Sequence, residues 1–374
     1  MLEGSLPGPR HATVGDVAEA RTALHPRRLA SVGVSQAAGG EAVSGPLASL
    51  LRSLGLSLQE SEQLAALAAP APAEPTFTVV VRTQGRRRRS LLEALQSLAV
   101  QTWTRFGTVV AVHGTAEAAA AVEAEVGEAA ASGAAPTDCR VLHVDEGGTR
   151  AKPLNAGLDA ADGDYVCFLD DDDLAEPNWL AVFARGAADA PGQIIRARTA
   201  RQPWLTEGTA EPRTPAGPVE YVYPATFDPL AHFSYSETPI CSLALPRAAL
   251  DSLGLRFDEE LTVCEDWDLL VRASQLLGVH CVDEVTTLYR RSDRANSETE
   301  ANRQAWFRNR ARVIDKLARQ PLVLDGSEVH RLADARYEYG GGPSKRLENI
   351  RTRELLTALP GRLRARLVRT LRLR

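Results

Sequence analysis

Two clusters of carboxylates hold the residues best suited to chemistry in this chain. Asp170 to Asp173 are four consecutive acids, and Glu265, Asp266 and Asp268 form a second group further on. Carboxylates of this kind hold hard cations and accept protons. Four adjacent negative charges repel one another, so they call for a positive neighbour, either a metal or a cationic side chain. The bland alternative is a solvated acidic turn. Arg150 and Lys152 are the cations expected to face the same region as the acids, while Arg82 to Arg89 (RTQGRRRR) reads as a polar, cationic loop. Beside four aspartates, Arg150 and Lys152 suit a phosphate group held by charge-assisted hydrogen bonds.

The elements around these residues argue for a positioned site. Tyr165 to Leu169 is a short apolar run that reads as a buried strand ending on the aspartates, with a helix opening at Pro177 and Trp179. Acids delivered at the C-terminal edge of such a strand lie where open α/β sheets bind ligands. Residues 77–81 (FTVVV), 108–112 (TVVAV) and 140–144 give further strands, and helical spacing over 91–100 and 117–131 separates them. Strands alternating with helices predict an α/β fold with a mostly parallel sheet covered on both faces. Glu265 and Asp266 open a helix, where backbone amides favour negative charge. Residues 280–289 read as a last strand, followed by a polar loop with Arg290, Arg291 and Arg294. Between Pro191 and Pro239 the pattern is irregular and aromatic-rich, suited to packing a loop-rich subdomain or to stacking on sugar rings.

Outside this body, residues 46–69 read as a small helical appendage followed by a proline-rich linker. The expected division is 1–75 for the N-terminal part, 76–298 for the catalytic-looking domain, and 299–374 for a helical C-terminal region. The segment 361–374 has six arginines and no acid, with Leu363, Leu367 and Leu371 on one helical face. That pattern suits either a peripheral contact with an anionic membrane or a solvated terminal helix. A net charge of −5 gives no bulk pull towards nucleic acid. The five cysteines form no CxxC pair, which points away from a zinc site or a disulfide framework. No stretch is long and apolar enough to span a bilayer, and the expected location is cytoplasmic.

The chain resembles the family 2 glycosyltransferases of the GT-A fold over roughly residues 77–292. The resemblance rests on VVVRTQGR, on Gln101-Thr102-Trp103 and on the N-A-G-L of 155–158. It continues through FLDDDD with Pro177 and the F-D-E-E-L…E-D-W-D-L of 257–269. It implies a GT-A (Rossmann-like) domain with N- and C-terminal helical appendages. The implied activity is inverting transfer of a sugar from a nucleoside-diphosphate donor, foremost a UDP-sugar, to a glycan or lipid-linked acceptor, in surface glycan or glycoconjugate biosynthesis. By the same resemblance, Asp170 and Asp172 hold Mg²⁺ or Mn²⁺, and Asp266 with Glu265 supplies the general base. Arg82, Thr83, His113, Arg150, Lys152, Asp171, Arg290 and Arg291 form the donor-binding set. Besides lacking the histidine that many relatives place near Ser292, the chain departs from the family pattern at two positions: Gln84 stands where relatives carry an aromatic, and His113 where they carry an aspartate. Both fall on nucleobase recognition. The competing readings are a non-catalytic nucleotide-sugar or glycan-binding relative and a sugar-phosphate nucleotidyltransferase. The latter would want a glycine-rich loop where VRTQGRRRR has a single glycine.

Overall fold

The computed structural model describes residues 74–207, 211–292, 300–319 and 329–332. The expectations for residues 46–69, Arg294 and 361–374 lie outside the described residues. The chain divides into two compact units, Met1–Val323 and Leu324–Arg374. The sheet and the carboxylate clusters belong to the first, and in the second the described residues are 329–332.

The fold grows from β1 (Phe77–Thr83), whose FTVVVRT sequence is buried at every position but Arg82. Burial on both faces is what a central strand covered by two layers requires, and it explains a continuous β-branched run. β2 (Phe106–His113) and β4 (Tyr165–Asp170) flank it in parallel, and β3 (Cys139–Val144) lies beyond β2. The links between these strands contain α1 (Arg88–Ala99), α2 (Ala116–Ala131) and α3 (Ala151–Asp159). The strand order β3-β2-β1-β4 reverses direction between β1 and β4. The crevice at the carboxyl ends of those two strands is therefore the place where such a sheet receives ligands.

Side-chain alternation along β1 and β4 feeds two separate cores. Val79, Val81, Cys167 and Leu169 pack with α1, α2 and α4 (Trp179–Asp189). Val80, Val166 and Phe168 pack on the other face, with α3 and with α7 (Glu265–Leu277). Between α4 and α7 the chain forms β6 (Ile194–Glu207), β7 (Glu211–Pro215), β8 (Tyr221–Val222), α5 (Pro229–His232), β9 (Leu243–Pro246) and α6 (Arg247–Ser252). It then continues into β10 (Val279–Ser292) and α8 (Glu300–Ala318). β9 runs antiparallel to both β4 and β6, while β10 runs parallel to β6 and closes antiparallel on β5 (Leu174–Ala175). The α/β reading holds, with the parallel order kept in the first half and a mixed order in the second.

Three boundaries differ from the sequence reading. α1 begins at Arg88, so the cationic run is partly helix, and Arg82 belongs to β1. The segment after Pro191, read as irregular, opens with β6, a strand of fourteen residues. Its IIRARTAR alternation is disguised because the buried Arg196 takes an inward position by donating to Thr238, Pro224 and Glu237. Arg290 and Arg291 are residues of β10, which continues beyond Tyr289 because Arg290 is neutralised inside the protein.

The motif residues outside the acids act as braces. The Asn155 amide exchanges two hydrogen bonds with the Phe257 backbone, at 2.9 and 3.0 Å, tying α3 to the segment before α7. Gln101 donates to the Glu176 carbonyl at 2.8 Å and accepts from the Leu180 amide at 3.1 Å, fixing the chain just past the aspartates. Gly163 lets β4 start against β1: a Cβ there would meet the Phe77 carbonyl carbon at 2.6 Å and the Thr78 nitrogen at 2.7 Å. Backbone cannot step aside as a side chain can. Gly163→Ala is therefore expected to destabilise the fold by roughly 1–3 kcal/mol, read as a lower urea midpoint at unchanged slope. An unchanged midpoint would show that the β1–β4 entry is looser than this contact requires.

Candidate active site

Pairing register decides what meets at the crevice. Arg82 stands opposite Asp170 in the β1–β4 ladder, and both side chains fall on the α7 face. Arg82 donates to Asp170 Oδ2 at 2.6 Å and to Glu265 Oε1 at 3.1 Å. The next residues alternate to the α1 face, where the Thr83 hydroxyl donates to Asp171 Oδ2 at 2.5 Å. Arg87 spans Asp171 and Asp172, with Nη2 2.5 Å from Asp171 Oδ1 and Nη1 on Asp172 Oδ2. The Asp171 contact is an ion pair without hydrogen-bond geometry, so Oδ1 is compensated in charge alone. Arg150, at the start of α3, reaches Glu265 at 2.8 Å and Asp170 at 3.7 Å.

The second cluster is presented by Cys264. Its left-handed backbone, φ 68°, turns the chain so that Glu265 and Asp266 open α7. The three acids there have three different fates. Glu265 is buried and held by Arg82 and Arg150. Asp268 is buried and held by Arg272 at 2.8 Å and Lys316 at 2.9 Å, which makes it a brace between α7 and α8. Half-buried Asp266 has no arginine or lysine partner among the described residues, and its Oδ1 accepts from the Trp267 amide at 2.8 Å. Burial and the neighbouring Glu265 push its carboxyl up to about 6, against the pull of Arg150. The Trp267 indole donates to the His232 carbonyl at 2.6 Å, tying the start of α7 to α5.

Burial would raise the Asp170 carboxyl, but Arg82 and Arg150 outweigh it and hold it below its ordinary value. Asp172 goes the other way, raised by burial and by Asp170 despite Arg87. Asp173 is buried among its neighbours and raised well above the ordinary range, with its Oδ1 accepting from the Arg290 amide at 3.2 Å. The sequence called for a positive neighbour beside these acids. Four arginines meet that need: Arg82, Arg87, Arg150 and Arg290.

Whether these residues suit a divalent ion turns on their donor atoms. Among the described residues no group of three or more His, Cys, Asp or Glu side chains is arranged to hold a metal by itself. Mg²⁺ and Mn²⁺ beside a phosphate need less, one or two carboxylates with the remaining positions filled by phosphate and water. Asp170 and Asp172 fit that demand, since the arginine contacts on each use Oδ2.

The remaining residues of the expected set are dispersed. His113 Nε2 donates to the Gly147 carbonyl at 2.9 Å. Lys152 donates to the Asp145 carbonyl at 2.8 Å, so of the two cations expected beside the acids the structure brings Arg150 there. Arg291 lies 3.6 Å from Glu220. Arg290 is fully enclosed: it pairs with Glu93 at 2.5 Å, donates to the Asp172 carbonyl, and lies 5.1 Å from the Trp204 ring centre. Arg290 thus lies in β10 and not in the polar loop expected from the sequence, because Glu93 neutralises it while its hydrogen bonds hold the aspartate turn. Arg87 has no mark of its own in the sequence, standing among four successive arginines. The available signal was that a cation following β1 must emerge beside the end of β4.

Residues 78–220 match the family described as Glycosyl transferase family 2, the family that the motifs resemble. The match ends before Glu265 and Asp266. Among solved structures, the chain is similar to S. aureus TarS 1-349 in complex with UDP-GlcNAc, at 19% identity and a TM-score of 0.48, covering 73% of this chain and 77% of that one. It is also similar to the mannosyltransferase PcManGT from Pyrobaculum calidifontis in complex with GDP-Man and Mn²⁺. That likeness has 17% identity and a TM-score of 0.48, covering 87% of this chain and 82% of that one. No curated protein matches the chain. Among the described residues no helix is long and apolar enough to cross a membrane.

Proposed function

We propose that this chain is an inverting, metal-dependent glycosyltransferase that moves a sugar from a nucleoside-diphosphate donor to an acceptor hydroxyl, in the assembly of a surface glycan or glycoconjugate. The observation that carries the reading is the division of labour between the two acid pairs. Asp170 and Asp172 end β4 among arginines, Glu265 is clamped by Arg82 and Arg150, and adjacent Asp266 alone lacks a cationic partner among the described residues. An unclamped carboxylate with a raised pKa is the one able to take a proton near neutral pH.

In this reading Asp266 removes the proton from the acceptor hydroxyl as its oxygen bonds to the anomeric carbon. The bond from that carbon to the phosphate oxygen breaks, its electron pair stays on the departing diphosphate, and attack from the opposite side inverts the centre. Arg150 and Arg82 hold Glu265 and Asp170 in fixed relation, which aligns the donor end of the site with the base. A divalent ion bound by Asp170 and Asp172 would supply neutralisation of the charge gathering on the leaving diphosphate.

The test is a thermal-shift screen with UDP, GDP, dTDP and CDP, each with and without Mn²⁺, followed by turnover assays on a panel that includes UDP-GlcNAc and GDP-mannose. A ligand that binds only the folded state raises stability by about 2.7 kcal/mol at a hundredfold excess over its Kd. One nucleotide should stabilise the protein more in the presence of Mn²⁺. No shift with any of the four would remove the donor from the proposal, and binding without transfer or hydrolysis would remove the catalysis.

A further inference from the structure

Arg87 lies on the loop between β1 and α1, and one guanidinium serves two consecutive aspartates. Two of the other three arginines of the group are fixed more firmly, and the third, exposed Arg150, has its short contact with Glu265 and none with Asp172. Arg290 is completely enclosed, and Arg82 is 12% exposed and clamped between Asp170 and Glu265 on separate elements. The Arg87 side chain is 30% exposed, and its contact with Asp171 has charge without hydrogen-bond direction. It is therefore anchored mainly through Asp172, one of the two carboxylates that suit a hard cation. A guanidinium and a divalent ion at the same carboxylate are rivals, because two cations sharing one anion repel each other strongly in a partly desolvated site.

We propose that Arg87 is a resident counter-cation of Asp172 that yields this carboxylate to a divalent ion and then carries its charge to a phosphate of the donor. The inference rests on the nucleotide-sugar reading of the site. It follows that the ion and the diphosphate each bind poorly alone and favour each other, since each relieves a cost set by Arg87. Such coupling is reciprocal, and effects between roughly fivefold and 150-fold are usual.

The experiment is an electron paramagnetic resonance titration of Mn²⁺ into the full chain, alone and then with saturating UDP or GDP, corrected for Mn²⁺ bound by nucleotide in protein-free solution. Wild type is expected to bind Mn²⁺ weakly alone and about tenfold more tightly with diphosphate. Arg87→Gln should bind Mn²⁺ alone about tenfold more tightly than wild type, and should gain little from diphosphate. Arg87→Lys, which keeps a charge but cannot span two carboxylates, should fall between them and serves if the glutamine variant does not fold. Arg88→Gln removes the neighbouring arginine, which pairs with Glu125, and should behave as wild type. Mn²⁺ binding to Arg87→Gln or Arg87→Lys that is no tighter than to wild type would overturn the role of Arg87 while leaving the donor reading standing. No Mn²⁺ binding to any folded variant, with or without diphosphate, would overturn the metal reading and this inference with it.

Discussion

Asp266→Asn is expected to lower kcat by roughly 10²–10⁴-fold with little change in donor affinity. The loss is kinetic because Asp266 has no cationic partner among the described residues and its hydrogen bond is to its own helix start, which asparagine can keep. The pH profile gives a second reading. With its carboxyl at about 6, Asp266 is protonated and unable to accept a proton below that pH and is competent above it, so wild-type activity should rise with pH through about 6. In Asp266→Asn the residual rate should lose that acid limb. Glu265→Gln should behave differently, because Glu265 is the shared anion of Arg82 and Arg150. Removing its charge leaves half-buried Arg82 with Asp170 as its remaining anion and releases exposed Arg150, and should cost stability as well as rate. If donor binding collapses in Asp266→Asn while kcat survives, Asp266 is a donor-site residue. Asp268 could not inherit the role, since Arg272 and Lys316 already engage it.

Much of this arrangement was legible in the sequence because it depends on short-range pattern. The apolar run before Asp170 marks the strand, but the β1–β4 register that sets Arg82 beside Asp170 and Thr83 beside Asp171 comes from the fold, since the sequence reading ends β1 at residue 81. Asn155 and Gln101, quoted as motif residues, proved to be backbone braces across long chain separations, a role with no local signature. What the pattern could not give was the fate of individual charges. Seven acids and several arginines have the same appearance in a sequence, and partner choice depends on which elements converge. Arg290 looked like a loop cation, yet Glu93 and Trp204 enclose it. Arg196 masked β6 for the same reason, since a buried guanidinium satisfied by Thr238 and two carbonyls breaks the apolar alternation that marks a strand.

Asp172→Asn is expected to abolish divalent-dependent turnover while leaving the fold intact. Asparagine keeps the shape and one acceptor oxygen but gives up the charge that makes the side chain a ligand for a hard cation. Loss of a direct ligand should exceed the roughly 10–100-fold that removal of a supporting residue around a metal costs. The fold should survive because Asp172 is partly exposed and Arg87 retains Asp171, while Arg290 holds the Asp172 backbone carbonyl whatever the side chain. Asp170→Asn should lose as much activity and more stability. It leaves Arg82, whose charge burial opposes and Asp170 and Glu265 sustain, with one of its two anions. Both variants should be assayed for turnover across a Mn²⁺ series, with melting temperatures measured in parallel. Full turnover of Asp172→Asn, or wild-type turnover unchanged in excess chelator, would sink the assignment of Asp170 and Asp172 as cation ligands. In that case the neutralising charge for the leaving diphosphate would have to come from Arg82, Arg87 and Arg150 themselves.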